Sequence, residues 1–341
     1  MSGARAHAGF SHLRRIERLL RRRGPPVART LGFLILGLTG PLWATPAVDP
    51  ALRFGFSSQI FFEVNENDAR AALKNWAQSV GAELKVSVDP AMEIFAGTEA
   101  IKDALVLGKI DAMTITAAEF WSMRRAVALG PFIFGRTHGE ITEEYLLLVH
   151  RDNPAARLAD LRGRSVAVLA GARASLAAVW LETLLLEDTL GPAGNFWGKT
   201  MQSGKLARVV LPVFFHQIDA CIVTREGFRT MSELNPQVGR QLKVLAQSPA
   251  LVPTVFCFRA DLISRFRDNL IAGIGRFADL PAGRQTLVLF QSDQLEVHPV
   301  SELDAACALL DRHQRLLAEA GNASATPPAG AARPGVGERS R

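Results

Sequence analysis

Two short loops carry the side chains best suited to binding a small anion. Residues 57–59 (Ser-Ser-Gln) follow the apolar run 52–56, and residues 171–175 (Gly-Ala-Arg-Ala-Ser) follow the apolar run 165–169. Where a strand ends and a helix begins, exposed N–H groups and the helix dipole favour an anion. Arg173 adds a guanidinium that can bind a carboxylate or phosphoryl oxygen through two hydrogen bonds. A capped helix beside a solvated arginine stays open as the alternative for the second loop.

The sequence offers little for catalysis. It has no GxSxG, HExxH or Walker A motif, and the loop at 171–175 has one of the three glycines of a dinucleotide-binding loop. Four residues could be considered as metal ligands: His138, Glu140, Glu143 and Glu144. A charged loop that precedes a strand is the favoured interpretation of this group. His216 is interpreted as a residue at a helix C-terminus, where the dipole favours it. We therefore expect no enzyme activity, no cofactor and no metal.

Three widely spaced cysteines support neither a zinc site nor a disulfide framework. Cys221 and Cys257 fall in predicted strands and are interpreted as buried small apolar residues. A bridge between these two stays open as the less favoured alternative.

The elements that must position the loops alternate between strand and helix patterns. Apolar residues from Ala69 to Val80 recur at helical spacing, with Asn65 or Asn67 available as the cap. A strand is predicted at 83–88, and a helix capped by Thr98 is predicted to end at Gly108. This alternation predicts a parallel sheet with crossover helices.

A repeated segment indicates two lobes of similar plan. Residues 109–116 (Lys-Ile-Asp-Ala-Met-Thr-Ile-Thr) and 217–224 (Gln-Ile-Asp-Ala-Cys-Ile-Val-Thr) share Ile-Asp-Ala, and each follows a strand, loop and helix. Residues 151–154 and 248–253 fit as crossings between the lobes, and the segment 261–319 is predicted to be helical. Two lobes joined by two crossings form a hinge that can close on a ligand.

The N-terminus is typical of an export signal. Residues 1–47 contain eight arginines and one glutamate, which leaves the rest of the chain close to neutral although the whole carries +6. A basic stretch, a short apolar stretch and small residues near Ala47 indicate a secretory signal, with an uncleaved N-terminal anchor as the alternative. Because the remainder has no basic stripe, a nucleic-acid partner is not expected. We predict a periplasmic protein, with a disordered tail at 321–341.

Residues 52–317 resemble the phosphate/phosphite/phosphonate-type substrate-binding proteins of bacterial ABC importers, a branch of the type II periplasmic binding proteins. The resemblance is carried by residues 104–112 (Ala-Leu-Val-Leu-Gly-Lys-Ile-Asp-Ala), 160–163 (Asp-Leu-Arg-Gly), 219–221 (Asp-Ala-Cys) and 248–249 (Ser-Pro). It implies an α/β fold of two lobes with two crossings at a hinge. The expected divisions are 48–150 with 254–320 for lobe one, and 151–253 for lobe two.

The resemblance also suggests which residues contact the ligand, with several departures. Phe120 stands where the family usually has a tyrosine. The helix start at 171–175 keeps one hydroxyl of the usual Ser-Thr-Ser, and residues 203–207 (Ser-Gly-Lys-Leu-Ala) lack the usual histidine and glutamate. Asp219 matches the aspartate that reaches a ligand amine, although Asp111 holds the same place in lobe one, so both residues fit a turn cap equally well. The expected ligand-binding residues are Ser57, Ser58, Gln59, Thr116, Phe120, Gly171, Arg173, Ser175, Lys205 and Asp219.

We therefore expect a monomeric solute-binding protein that takes a small anionic or zwitterionic, phosphonate- or phosphate-like ligand between its lobes. Its expected partner is an inner-membrane ABC permease. The alternative is a periplasmic sensory module that feeds a membrane receptor or kinase. An enzyme on the same scaffold is the third hypothesis, and it lacks a catalytic residue set.

Overall fold

The computed structural model describes residues 50–62 and 64–325, so the predicted export signal lies outside the described residues. The strands are β1 (Phe54–Ser57), β2 (Glu93–Phe95), β3 (Ala112–Thr116), β4 (Leu129–Arg136), β5 (Tyr145–His150), β6 (Ser165–Leu169), β7 (Lys199–Ser203), β8 (Ala220–Thr224), β9 (Leu242–Gln247), β10 (Thr254–Arg259) and β11 (Gln294–His298). The helices are α1 (Glu66–Leu84), α2 (Thr98–Val106), α3 (Ala117–Met123), α4 (Ala177–Glu187), α5 (Ala193–Phe196), α6 (Leu206–Phe214), α7 (Arg225–Leu234), α8 (Pro236–Gln241), α9 (Arg265–Gly273), α10 (Pro281–Leu289) and α11 (Asp304–Ala325). Within the described ranges, none of these helices combines the length and apolar character that a membrane span needs.

Two sheets of the same plan form two lobes. The first has the order β11-β4-β10-β3-β1-β2, and the second has the order β7-β6-β8-β5-β9. In each, three neighbouring strands are parallel (β2-β1-β3 and β7-β6-β8), and an antiparallel strand, β10 or β5, follows. The predicted α/β architecture of two similar lobes is therefore confirmed.

Strand β5 belongs to the second lobe, which corrects the expected boundary at residue 150. It pairs with β8 and β9, with Leu147 opposite Ile222. The first crossing thus precedes β5 and covers residues 137–144 rather than 151–154. The second crossing lies at 248–253, where it was predicted. Glu143 and Leu251 join the two crossings through a pair of backbone hydrogen bonds of 2.7 and 2.9 Å.

Several predicted elements need correction. Helix α1 begins after Asn65, whose side chain accepts a hydrogen bond from the N–H of Asn67, as expected of a cap. It runs on to Leu84, so the strand predicted at 83–88 is reduced to one parallel bridge between Val88 and Leu52, and β2 begins at Glu93. Thr98 is the first residue of α2 rather than its cap, which is Gly97.

The C-terminal segment also differs from the expectation. It contains β11, a strand that pairs antiparallel with β4 and was missed inside a region predicted to be helical. Helix α11 continues to Ala325, which shortens the predicted disordered tail, and residues 326–341 lie outside the described residues. The lobes share one apolar core, in which Trp180 and Leu185 of α4 lie with Leu310 of α11.

Candidate functional site between the lobes

Two adjoining recesses lie where the lobes face each other, and we call them together the interlobe cleft. One, of about 290 Å³, is lined by the loops after β6, β7 and β8, by Thr137 of the first crossing and by Gln291 of lobe one. The other, of about 330 Å³, is lined by the first crossing and the start of α7. Both recesses include Thr137, Glu143, Arg173 and Glu226. These volumes lie at the lower end of the range usual for small-molecule sites.

Arg173 is held at the centre of this cleft by a buried ion pair. Its Nε lies 2.5 Å from Oε1 of Glu143, and the two side chains are 12% and 7% exposed. Its Nη1 donates to the carbonyl of Gly135 in β4 at 3.3 Å, which ties lobe two to lobe one. Burial raises the pKa of Glu143, and the charge of Arg173 opposes that rise. The guanidinium predicted to bind ligand oxygens is thus already partnered by a carboxylate of the chain.

The rest of the loop at 171–175 is attached to β5 and to the second crossing. The Tyr145 hydroxyl donates to the backbone carbonyl of Arg173 at 3.1 Å, and the Ser175 hydroxyl donates to the carbonyl of Pro253 at 2.9 Å. Gly171 takes φ of +120°, a conformation that favours glycine. Ala172 is buried in the lobe-one core beside Phe56. The loop therefore connects lobe two to the hinge as well as bordering the cleft.

The charges that line the cleft are predominantly negative. Four carboxylates, those of Glu140, Glu143, Glu144 and Glu226, accompany the guanidiniums of Arg173 and Arg225. Glu144 pairs with Arg225. The carboxylate of Glu226 accepts from Arg229, and that hydrogen bond lowers its pKa. Arginines of the chain pair with Glu143, Glu144 and Glu226, and His138 also lies 3.4 Å from Glu226, so Glu140 is the carboxylate in excess. A ligand with only negative charge meets no unpaired guanidinium among these lining residues, whereas a ligand that also carries a cationic group can offset the excess carboxylate.

The start of α6 supplies the donors for an anion. This helix follows Ser203, and its N-cap residue, Lys205, makes no side-chain cap hydrogen bond. Gly204 and Leu206, on either side of Lys205, line the cleft. An α-helix leaves its first N–H groups without intrahelical partners. The neighbouring helix differs, because the Thr224 hydroxyl accepts from the N–H of Gly227 at the start of α7.

In lobe one, the predicted donors are satisfied by a buried carboxylate. Oε1 of Glu119 accepts from the Ser57 hydroxyl at 2.6 Å, and Oε2 accepts from the backbone N–H and hydroxyl of Thr116 at 2.8 and 3.0 Å. All three residues are buried. Ser58 and Gln59 are exposed and lie outside both recesses. The structure thus separates these four predicted residues from the cleft.

Phe120 also lies apart from the cleft. It is buried in the core shared by the two lobes, and its ring meets Phe132 edge-to-face at 5.8 Å. Phe120, which was expected to contact the ligand, therefore packs within the core and lines neither recess.

Asp219 and Asp111 occupy equivalent structural positions. Asp219 accepts from the backbone N–H and the hydroxyl of Ser165 at the start of β6, at 2.8 and 2.6 Å. Asp111 accepts from the backbone N–H and the guanidinium of Arg53 just before β1. Burial raises the pKa of Asp219, but the hydrogen bonds from Ser165 outweigh it and lower the value overall. Both aspartates thus anchor the amino ends of strands, at the sheet edge opposite the cleft.

The two strand cysteines form no bridge. Cys221 lies in β8 and Cys257 in β10, which belong to different sheets, and both are free and buried. The less favoured disulfide alternative is therefore wrong. Burial raises the pKa of both thiols far above its usual value.

One segment resembles a phosphate-binding loop in its sequence but does not fold as one. Residues 193–200 read Ala-Gly-Asn-Phe-Trp-Gly-Lys-Thr, but Lys199 and Thr200 begin strand β7 instead of a helix. Gly198 is needed for packing, because a Cβ there would lie 2.2 Å from the carbonyl oxygen of Gly163. The segment is therefore structural.

A third cavity, of about 60 Å³, lies inside lobe one. Aromatic and aliphatic side chains such as Phe56, Trp76, Phe256 and Phe277 line it. It has no charged lining residue, so it offers no partner for an ionic ligand.

Of the residues expected to bind ligand, Gly171 and Arg173 line the cleft, and the other lining residues were not among those expected. Thr224 ends β8 and Glu226 follows it in α7, and Thr224 is the counterpart of Thr116 in the repeated segment. That repeat was the available signal, because both threonines cap the helix that follows. The sequence did not indicate that Gln291 lies in the cleft, because the neighbouring strand β11 was not predicted.

A family model supports the resemblance. Residues 62–300 match the model of the periplasmic substrate-binding protein of phosphonate ABC transporters. No match to this chain was found among the curated proteins.

Solved structures share the fold at low sequence identity. XAC2383 from Xanthomonas citri, bound to ATP, has a TM-score of 0.57 and 17% identity, covering 78% of this chain and 98% of that chain. A binding protein component of an ABC phosphonate transporter from Pseudomonas aeruginosa has a TM-score of 0.55 and 15% identity, covering 83% and 91%. PhnD1 from Prochlorococcus marinus, in complex with methylphosphonate, has a TM-score of 0.54 and 12% identity, covering 78% and 98%. These likenesses confirm the predicted type II binding-protein fold.

Proposed function

Because the chain belongs to the family of periplasmic substrate-binding proteins of phosphonate ABC transporters, we propose that it binds a small zwitterion in the interlobe cleft. The family is one of extracytoplasmic transport proteins rather than enzymes, and its function is solute binding. The sensory alternative is not favoured by the family match. The ligand class, the permease partner and the monomeric state are parts of this proposal.

The charge distribution of the cleft carries the choice of a zwitterion. Carboxylates outnumber guanidiniums among the lining residues, and Arg173 is already paired with Glu143. A dianionic phosphate or alkylphosphonate would have to enter this field without a compensating cation. A ligand with an amine can place its cationic end near Glu226, where it would share the carboxylate with Arg229, and its anionic end at the start of α6. The expectation of an anionic or zwitterionic ligand thus narrows to the zwitterionic class.

Closure follows from the residues that face these two groups across the cleft. Lobe two supplies Glu226 and the start of α6, whereas the first crossing supplies Thr137 and lobe one supplies Gln291. A ligand that contacts both lobes binds the closed form more tightly and shifts the population toward it. The paired crossings at Glu143 and Leu251 are the segments that would bend.

Isothermal titration calorimetry with matched ligands tests the proposal. The informative pair is 2-aminoethylphosphonate and methylphosphonate, because only the first carries an amine; glycine and inorganic phosphate extend the comparison. We expect the aminoalkylphosphonate to bind at least about tenfold more tightly than methylphosphonate, as one charge-assisted hydrogen bond is worth about 1.5–3 kcal/mol. Equal affinities, or tighter binding of phosphate, would contradict the zwitterion proposal.

A pair of variants locates the amine. Glu226→Gln should weaken the aminoalkylphosphonate about tenfold and leave methylphosphonate unchanged. Glu233→Gln is the matched control, because Glu233 also pairs with Arg229 but lies outside both recesses. An equal loss in both variants would mean that Arg229, rather than the Glu226 carboxylate, governs binding.

A further inference from the structure

Three potential metal ligands meet at the edge of lobe two that lies opposite the cleft. His150 ends β5, Asp152 lies in the turn after it, and His216 follows α6. The sheet register brings them together, because Val149 pairs with Ala220 at the start of β8. One potential ligand atom from each of the three residues lies within 4.8 Å of the others. The three residues are therefore neighbours through the fold and not only through sequence.

The distances approach those of a tetrahedral site. Nδ1 of His150 lies 3.5 Å from Oδ2 of Asp152. Two ligand atoms with metal bonds of about 2.0–2.1 Å at a tetrahedral angle lie roughly 3.3 Å apart. The rings of His150 and His216 are in contact, with centroids 3.8 Å apart. Two imidazoles on one tetrahedral ion have centroids about 5 Å apart, so the exposed His216 ring would have to rotate away from His150 as Asp152 turns toward the ion.

The cluster combines a fixed ligand with two adjustable ones. The His150 side chain is 9% exposed and that of Asp152 is 81% exposed, so His150 is fixed by packing. His216 takes φ of +55°, and its N–H donates to the carbonyl of Val213 at 3.1 Å, which turns the chain after α6 toward His150. Nδ1 of His150 accepts from the N–H of Asp152 at 3.2 Å, a bond that metal binding through this nitrogen would replace.

The surroundings favour a cation. The cluster opens into a recess of about 510 Å³ that Asp160, Asp219 and Arg164 also line. Asp160 and Asp219 accept hydrogen bonds from neighbouring backbone N–H groups, so they contribute negative charge without needing to bind the ion. With Asp152 included, three carboxylates and the guanidinium of Arg164 line the recess, and Asp160 also pairs with Arg157 at 3.3 Å.

We propose that His150, Asp152 and His216 bind a divalent transition metal of the Zn²⁺ class, with water completing the coordination. Two imidazoles and one carboxylate suit zinc, nickel or copper, whereas magnesium and calcium prefer oxygen ligands. The ion would join the end of β5 to the turn between α6 and β8. It would stabilise lobe two without contacting the interlobe cleft, so the proposal does not depend on the identity of the cleft ligand.

Calorimetric titration of the full chain tests this site, using untagged protein freed of metal with a chelator. We expect saturable 1:1 binding of Zn²⁺, no binding of Mg²⁺, and a rise in Tm of about 5 °C at saturating Zn²⁺. His216→Ala and Asp152→Asn should each weaken Zn²⁺ binding at least about tenfold. Co²⁺ in place of Zn²⁺ should give the intense visible absorption of a tetrahedral site, and His216→Ala should remove it.

The control variant is His313→Ala, which removes an imidazole that pairs with Glu182 far from the cluster in the fold. Its Zn²⁺ affinity should stay within about twofold of the unmodified chain. Absence of saturable Zn²⁺ binding would overturn the proposal, and so would unchanged binding in His216→Ala. Either result would mean that the two imidazoles only pack against each other.

Discussion

Replacing Arg173 with methionine would leave the Glu143 carboxylate buried without its counter-charge. The two side chains are 12% and 7% exposed and approach to 2.5 Å. Charges about 4 Å apart attract by about 4 kcal/mol at an effective dielectric constant near 20, and breaking a buried pair typically costs about 3–5 kcal/mol. Arg173→Met should therefore lower the free energy of unfolding by about 3–5 kcal/mol at pH 8. The loss of the hydrogen bond to Gly135 is included in that range.

The pH dependence identifies the cause of this loss. Burial raises the pKa of Glu143, and Arg173 is the largest opposing influence, so the variant should raise that pKa further. Between the unfolded value of about 4.3 and the raised folded value, the folded state binds more protons than the unfolded state. Stability in that window falls as the pH rises. Arg173→Met should consequently lose less stability at pH 5 than at pH 8.

Urea unfolding at both pH values, followed by tryptophan fluorescence, measures these differences. The double variant Glu143→Gln with Arg173→Met should recover most of the loss and its pH dependence. Arg225→Met is the control, since its ion pair with Glu144 is half exposed and should contribute less than about 1 kcal/mol. A loss in Arg173→Met below about 1 kcal/mol, or an equal loss at both pH values, would refute the reasoning.

Two further predictions concern groups that the structure places away from the cleft. Asp219→Asn should lower the free energy of unfolding by about 1–3 kcal/mol at pH 7 and leave ligand affinity unchanged, because the Asp219 carboxylate binds Ser165 and not a ligand. Asp111→Asn should have the same two effects, because Asp111 binds Arg53 in the same way. A tenfold loss of ligand affinity in Asp219→Asn, measured by calorimetry, would contradict this prediction. Because folding lowers the pKa of Asp219, its carboxylate stabilises the folded state above a pH of about 4, and this stabilisation is lost as the pH falls through the pKa of the folded state. The free energy of unfolding of Asp219→Asn should therefore fall less steeply with decreasing pH than that of the unmodified chain. Cys221 and Cys257 should react with a thiol reagent only on unfolding, because both are buried and burial raises their pKa; rapid labelling of the native chain would oppose this.

The two-lobe architecture could be predicted because its signals are periodic and local. The Ile-Asp-Ala repeat marks the same structural position in each lobe, and in both the aspartate binds the start of the parallel strand next to its own, β1 or β6. β6 matched its predicted bounds, since a run of apolar residues bounded by turn residues is typical of a buried parallel strand. β5 was assigned to the wrong lobe because strand pairing is a long-range property that its own sequence does not show.

The site was only partly predictable because the partners of a polar side chain depend on the fold. The hydroxyl groups of Ser57 and Thr116 suggested ligand contacts, but both hydroxyls donate hydrogen bonds to the Glu119 carboxylate inside lobe one. Arg173 lies in the cleft as expected, yet Glu143, thirty residues earlier, neutralises it. The Thr116–Glu119 pair is a capping box that the spacing of the two residues could have shown, whereas the Ser57–Glu119 and Arg173–Glu143 contacts join distant segments and have no local signal.

Hydrogen–deuterium exchange of the full chain, with and without 2-aminoethylphosphonate, tests most directly where the ligand binds. The account predicts slower exchange in segments 169–175, 203–208 and 224–228, which border the interlobe cleft, and in the crossing at 137–144. Segments 150–153 and 216–219, at the opposite edge of lobe two, should exchange as before. Protection confined to that opposite edge, or to the apolar cavity of lobe one, would contradict the account.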